Sequence, residues 1–532
     1  MKKRFLFHRS EMTVALMVGA TLISKALGML RQMMTASIFG ASMEGIAFSA
    51  ASGIPLAIFD MLFSTAILGS FLPIYRGHLV SDGKRARSFS SSFLTVVFLL
   101  TGAASLLGTI FAGSIIRLAA PDLDENTLAL AVLLLRIMFP SMIFAGAAYV
   151  LIGILQSHDR FLLPAFVSAV SNLIILWYLV LCSEPIGISD AIGLAFAYLF
   201  SWAVQFLTLA VPLLKKREFP GFGIGRKITD TSLALKRAIP VMFGSWLIPM
   251  TTLIAKALAS FAEIKGEASG AAIVVYENAF SVYSIAAGIL TYGICNYLFP
   301  KLSACFSMEK KEAFSELVSK GFFAAMAVSL PVSGVIFLLS DEIVGLLYLR
   351  GNFTHELAQA SAVALRVLAF AIPAYSMTEF FSRVCYSSAE VKYPAIAAWT
   401  GISVSSVLGF LFLRMEAISV PAVALSVLFG QTAAGVLLLI FTRRFLVPEG
   451  ARSFVKYGSL LLGYLLCMAS MWVCRDFLRN FLHFSDTFQN FLIIALVFTV
   501  GFMVYSIWLV IVKIIDISKF RAIGGNGNIS FF

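Results

Sequence analysis

Ser24-Lys25-Ala26-Leu27-Gly28-Met29-Leu30-Arg31 lies at the centre of an apolar run from Met12 to about Ser37. A helix needs about 20 predominantly apolar residues to cross a bilayer core, and this run supplies them. Two fixed cations within such a helix cost about 3 kcal/mol each unless they face water, counter-charges or a ligand. The run therefore predicts a first membrane helix that lines a cavity, and a cavity that prefers something negative. The basic head Met1-Lys-Lys-Arg4 ahead of an apolar run looks like a secretion signal. The run is too long for one, carries Lys25 and Arg31 and lacks a small-x-small cleavage site, so it is expected to stay as an anchor.

Composition extends this reading to the whole chain. The 532 residues are 60% hydrophobic and 13% charged, with a mean hydropathy of +0.92. A soluble domain is about a quarter charged, so most of this chain must face lipid or other buried helices. A transmembrane β-barrel would show segments of roughly ten residues with alternating polarity, and none occurs. The expected fold class is an all-α polytopic membrane protein.

Hydropathy gives fourteen spans, near 12–37, 47–75, 89–116, 127–155, 161–183, 188–214, 236–262, 268–300, 320–340, 357–385, 393–413, 418–442, 454–474 and 489–513. Cytoplasmic loops of membrane proteins collect Lys and Arg. With the N-terminus inside, segments on that side hold 28 of the 40 Lys and Arg, the opposite loops 6 and the spans 6. This asymmetry predicts both termini cytoplasmic, and it accounts for the net charge of +12 without a nucleic-acid partner. Ser307–Lys320 carries one charged and one apolar face and reads as an amphipathic helix on the inner membrane surface. The six cysteines form no CxxC pair and read as small buried hydrophobes.

The sequence also repeats itself at an offset of 230 residues. Leu135-Arg136 matches Leu365-Arg366, Ser157 matches Ser387, and Pro164-Ala165 matches Pro394-Ala395. Six spans separate the copies, an even number, so both have the same orientation. This predicts two six-helix lobes related by an axis along the membrane normal: residues 1–214, a basic linker over 215–235, and residues 236–442. Residues 443–532 add a further helix pair and a tail. Two such lobes around a polar cavity are the layout of an alternating-access transporter.

No P-loop, no nucleophile–base pair and no metal-ligand cluster stands out, so the chain does not read as an enzyme. The charges within spans are the candidates: Lys25, Arg31, Asp60, Arg136, Lys256, Glu277, Arg366, Glu379 and Arg383. Each is expensive in lipid and marks either a functional site or a structural ion pair. Arg136 and Arg366 occupy one repeat position and read as structural ties. Glu379 and Arg383 stand one turn apart and read as a local pair. Asp60 and Glu277 sit in related spans and either balance Lys25, Arg31 and Lys256 or bind a coupling cation or proton. Gly28, midway between the two cations of the first span, is a place where that helix could bend.

Ser24-Lys-Ala-Leu-Gly-Met-Leu-Arg31, Ile38-Phe-Gly-Ala41, Ala47-Phe48, Ile54-Pro55 and Ser70-Phe-Leu-Pro-Ile-Tyr75 resemble the opening of the MurJ (MviN) family within the MOP exporter superfamily. The likeness continues at Gly153-Ile-Leu-Gln-Ser-His-Asp-Arg-Phe161, Leu347-Tyr-Leu-Arg-Gly-Asn-Phe-Thr354 and Tyr386–Pro394, covering about residues 12–445. The resemblance implies fourteen helices in two lobes, with the final pair forming a groove for a lipid tail. It implies a flippase for lipid II, an undecaprenyl-pyrophosphate-linked peptidoglycan precursor, in the bacterial cytoplasmic membrane. It implies no cofactor, a driving force from a Na+ or H+ gradient or the membrane potential, and possible contact with cell-wall synthesis proteins.

By the same resemblance Arg31 matches a cavity arginine, and Lys25 stands where the family usually has arginine. The family's acid before Ala-Phe is Ile46 here, with Glu44 two residues earlier. Its arginine pair after Ile-Pro is Phe59-Asp60, and its arginine of the eighth span falls near Ala279, beside Glu277 and Asn278. Lys25, Arg31, Asp60, Lys256, Glu277 and Asn278 are thus expected at the substrate, and Glu44, Arg136 and Arg366 in structural or gating places. The rival readings are another MOP-type exporter, for a polysaccharide-linked lipid or an organic cation, and a non-transporting scaffold for cell-wall synthesis.

Overall fold

The computed structural model describes residues 2–182, 190–223, 232, 242–243, 246–415, 418–447, 451–481 and 486–512. Among them every regular element is helical. Lipid offers no hydrogen bonds to a backbone, so helices that satisfy their own N–H and C=O groups are the natural spanning unit here. Eleven described helices are long and apolar enough to cross a membrane. A twelfth comes from His355–Ala369 and Ala371–Ser387 if that pair, bent by 44°, is one span. The expected first span lies within a helix of 38 residues. The expected seventh, 236–262, falls partly outside the described residues, as does most of the basic linker.

Two compact units emerge. Unit 1 comprises Met1–Asn278, Arg350–Leu357 and Ser406–Ser419. Its helices are α1 (Lys2–Phe39), α2 (Met43–Ser52), α3 (Ile54–Phe59), α4 (Thr65–Ser81), α5 (Gly83–Ile110), α6 (Ala112–Ala119), α7 (Glu125–Met138), α8 (Ser141–Ser157), α9 (Leu162–Cys182), α10 (Ala191–Lys215) and α11 (Leu247–Ser260). Residues 60–64, between α3 and α4, form a short π-helix. Aspartates start two of these helices: Asp82 accepts from the Lys84 amide at 2.9 Å and Asp124 from the Thr127 amide at 3.0 Å. Each satisfies an otherwise unpaired first-turn N–H. The Thr127 hydrogen bonds also hold the Asp124 carboxyl below the usual carboxylate range.

Close approach of helices sets the core of unit 1. A Cβ on Gly153 of α8 would lie 2.8 Å from the Phe71 ring. That ring stacks on Tyr75 and Phe89 and tilts against Phe93. Small residues at such crossings replace the missing hydrophobic drive between membrane helices with van der Waals contact.

One end of unit 1 is held by ion pairs between turns. Arg160 pairs both guanidinium nitrogens with Glu218, at 2.7 and 2.9 Å, and Arg76 bonds Asp159 and the Gln156 carbonyl, each at 2.9 Å. The Arg160 hydrogen bond, more than burial opposes it, holds the Glu218 carboxyl below its ordinary value. A carboxylate whose folded value is depressed adds stability above its unfolded value and loses it as pH falls through the folded one. Glu218→Gln is therefore expected to destabilise unit 1 at neutral pH by about 1 kcal/mol or less. Its melting temperature should converge on that of the wild type as the pH drops below 4.5, as thermal melts of the two proteins across pH will check.

At the opposite end of α1 two glycines interlock. Gly40 (φ +53°) and Gly351 (φ +59°) both adopt left-handed backbone. A Cβ on Gly351 would lie 2.2 Å from the Ser37 carbonyl oxygen, and one on Gly40 2.2 Å from that of Asn352. Asn352 donates its amide to Ser37 O at 2.8 Å and its side-chain nitrogen to Ile38 O at 2.6 Å. Left-handed backbone alone costs a side chain about 1–2 kcal/mol, and the clash adds to it. Gly351→Ala is expected to lower the melting temperature clearly. Gly77→Ala, where no atom lies within 4 Å, should leave it unchanged or slightly raised.

Unit 2 comprises Ala279–Leu349, Ala358–Ser405 and Val420–Phe532. Its helices are α12 (Ala271–Ser307, which begins in unit 1), α13 (Lys311–Leu338), α14 (Ser340–Tyr348), α15 (His355–Ala369, whose first three residues belong to unit 1), α16 (Ala371–Ser387), α17 (Lys392–Arg414, which ends in unit 1), α18 (Val420–Thr442), α19 (Ala451–Phe481) and α20 (Asp486–Ile511). The expected surface helix over 307–320 is not a separate element. Ser307 closes α12, Glu309 turns the chain at φ +55°, and Lys311 opens α13, which runs on to Leu338. Its charged face is simply the exposed start of a spanning helix, with Glu316 and Lys320 paired one turn apart at 2.7 Å.

The repeat read from the sequence has structural counterparts within each unit. Helices α5 and α13 have 28 residues each, and α8 and α16 have 17 each. In unit 1, α8 packs against α5 and α10; in unit 2, α16 packs against α13 and α18. The turns after α8 and α16 match in backbone detail. Asp159 and Ala389 sit at φ +57° and +59°, and the next amides, of Arg160 and Glu390, close back on Leu155 O and Cys385 O at 2.9 and 2.8 Å. This is a Schellman-type helix end. The ion pairs there have opposite polarity: Arg160 meets Glu218 in unit 1, and Glu390 meets Arg444 in unit 2.

Candidate substrate-binding site

Helix α1 runs unbroken through Gly28, so no bend brings Lys25 and Arg31 to one side. Gly28 instead admits α9. The Asn172 side chain donates to the Ser24 carbonyl at 3.1 Å, and a Cβ on Gly28 would stand 3.4 Å from its nitrogen. At 100° per residue, Arg31 lies roughly 120° from Lys25, whereas Gln32 lies about 20° from it. Gln32 donates to the Asn278 side-chain oxygen at 3.0 Å. The face of α1 that carries Lys25 is thus the face that meets the start of α12.

Arg31 is partly buried and has Tyr198 of α10 and Glu277 of α12 as its electrostatic neighbours. Tyr198 also faces Asp60, and Trp202, one turn on, is its hydrogen-bond partner. Asp60 opens the π-helix of residues 60–64, with the Ser64 hydroxyl as its side-chain partner. A π-helical turn inserts one extra residue, is rare, and occurs often at functional sites.

On the other side of Glu277 stands Lys256 of α11. Its ammonium donates to the Ser49 carbonyl at 2.6 Å and to Glu277 Oε1 at 3.3 Å. It lies 3.1 Å from where a Cβ on Gly53 would be, so glycine is what leaves room for it. Lys256 is 3% exposed, whereas the Glu277 side chain is 23% exposed.

The six residues expected at the substrate therefore sort into two groups, all in unit 1. Lys25, Arg31, Asp60 and Glu277 keep accessible surface. Lys256 and Asn278 are buried and hydrogen-bonded, and support the others from behind. Three cations against two acids leave a net positive charge on which an anion can act. Tyr198 and Gln32 complete the constellation and were not singled out from the sequence. A phenol within an apolar span, and an amide next to Arg31, were the available signals.

The three residues expected in structural or gating places lie elsewhere. Glu44 is partly buried in the first turn of α2, where a negative charge complements the helix dipole. Arg366 donates to the Ser340 hydroxyl at 2.8 Å and pairs with Asp341. Arg136, its repeat mate, is exposed. Residues 112–114, which open α6 as Ser340-Asp341-Glu342 open α14, are Ala-Gly-Ser, so unit 1 supplies no acid there. Glu379 and Arg383 stand 3.7 Å apart in unit 2.

A bundle of membrane-spanning helices with a partly buried, net-cationic cluster defines a transporter-type membrane protein rather than a soluble binder. Solved structures share the architecture. "Lipid II flippase MurJ, inward closed conformation" superposes with a TM-score of 0.77 at 21% identity, covering 93% of this chain and 98% of that one. A multidrug resistance MATE transporter of the MOP superfamily, inward-facing, gives 0.68 at 15% identity, covering 79% and 94%. The family model described as lipid II flippase MurJ matches residues 35–511, and the chain belongs to that family. Among its relatives, the probable lipid II flippase MurJ of Bdellovibrio bacteriovorus is 26% identical over 73% of this chain and 74% of its own length. That of Aquifex aeolicus is 24% identical over 92% of each. Membership in a family of flippases makes the chain a transporter, not an enzyme, and places it as a multi-pass protein in the bacterial inner membrane.

Proposed function

We propose that this chain exports lipid II, an undecaprenyl-pyrophosphate-linked peptidoglycan precursor, across the cytoplasmic membrane by alternating access. The observation that carries the reading is Arg31: a guanidinium held partly buried inside a membrane helix, in a family of lipid II flippases. A guanidinium fork matches a phosphate in charge and geometry, and Lys25 adds a point charge two turns towards the N-terminus. Fourteen spans, both termini cytoplasmic, two six-helix lobes and a terminal helix pair for the lipid tail complete the proposed architecture. The charge asymmetry of the loops and the repeated helix pairs support it. Export draws on a Na+ or H+ gradient or on the membrane potential, and Asp60 and Glu277 are the groups that would carry a coupling ion.

The same two acids favour a second reading, a MOP-type exporter of organic cations. The test is complementation. In a bacterium depleted of its own flippase, this chain as sole replacement should restore lipid II to the outer leaflet, measured by its accessibility to an impermeant reagent. Failure to restore it, with the protein present in the membrane, would sink the assignment.

A further inference from the structure

Lys256 is a cation that no diphosphate can reach, since its ammonium is buried against Ser49 O and Glu277. Its influence on a bound anion must therefore pass through another group. Glu277 is that group: it bonds Lys256 on one side and is the electrostatic neighbour of Arg31 on the other. One carboxylate is thus shared between a buried cation and the cation proposed to hold the substrate. The more of its charge Lys256 takes, the less remains to neutralise Arg31. Two features pin Lys256 in that place. Glycine at position 53 leaves room for its ammonium, and the Ser49 carbonyl fixes it with a short bond.

Building on the function proposed above, we infer that Lys256 is a positioning residue that holds Glu277 and so keeps the Arg31 charge available to the diphosphate of the lipid substrate. A second effect follows from burial. Removing one partner of a buried ion pair strands the other, whereas replacing both by neutral groups is often tolerated. Lys256→Met alone turns Glu277 onto Arg31; Lys256→Met with Glu277→Gln leaves Arg31 uncompensated.

The experiment measures binding of undecaprenyl diphosphate to the full-length protein in nanodiscs, for the wild type, K256M, E277Q and K256M/E277Q. K256M is expected to bind at least tenfold more weakly than the wild type. E277Q should bind several-fold more tightly than the wild type, and the double variant within threefold of E277Q. Such rescue by a second substitution is what a purely architectural lysine would not give. If K256M fails to fold, the comparison of E277Q with the double variant decides alone. A double variant tenfold weaker than E277Q, or an E277Q that binds less tightly than the wild type, overturns the positioning role. Absence of binding by the wild type overturns instead the substrate reading on which that role rests.

Discussion

Arg31→Ala is expected to reduce lipid II export by at least tenfold while leaving the protein folded. Hydrogen bonds to charged groups contribute about 1.5–3 kcal/mol each, equivalent to roughly ten- to a hundredfold in binding at 1.4 kcal/mol per decade. The charge balance argues for the upper half of that range. Lys25, Arg31 and Lys256 against Asp60 and Glu277 leave one net positive charge; without Arg31 it falls to zero, and the one cation left with accessible surface is Lys25. Lysine at position 31 keeps the charge but not the two-pronged fork, so Arg31→Lys should retain an intermediate rate. Export measured against protein abundance in the membrane separates these outcomes from loss of folding.

The largest stability effect is expected in unit 2, from Glu342→Ala. Glu342 is 1% exposed and accepts from Arg475 Nε at 2.8 Å and Nη2 at 3.1 Å, and from Arg479 Nε at 2.8 Å. Asp341 takes Arg475 at 2.9 Å and Arg479 at 3.5 Å, and also pairs with Arg366. Five charges thus join α14, α15 and α19. Breaking a buried pair by deleting one partner costs about 3–5 kcal/mol, because the charge left behind is uncompensated. That corresponds to a fall in melting temperature on the order of 10 °C. Hydrogen exchange should rise first along the Arg475 end of α19, which the network ties to α14, and later in α13. Arg479→Ala, whose side chain is 44% exposed, should cost far less.

The helices were legible because lipid enforces one secondary structure and hydropathy reports it directly. The repeat was legible for a related reason: Pro-Ala follows a turn whose backbone geometry recurs, as Asp159 and Ala389 show, and Leu-Arg lies in the last turn of α7 and of α15. Pairing over long sequence distances was not legible. Arg475 and Arg479 read as ordinary loop cations because their acids, Asp341 and Glu342, lie more than 130 residues earlier. Arg136 and Arg366 looked equivalent, yet only one unit places acids opposite that position. At the site, residue types alone could pair Glu277 with any of three cations. Gly53 and the Ser49 carbonyl decide for Lys256, and nothing in a linear pattern announces a backbone carbonyl as a ligand. The π-helical turn at Asp60 was equally invisible, since hydropathy has no period that distinguishes one inserted residue.

The most direct measurement of the central claim is transport by the purified protein. Proteoliposomes loaded with lipid II and containing this chain, with an ion gradient imposed, should move lipid II to the opposite leaflet, as read by an impermeant enzyme that consumes it. Vesicles holding the Arg31→Ala protein should move it at least tenfold more slowly. Equal rates for the two proteins, or rates no higher than those of protein-free vesicles, would contradict the account.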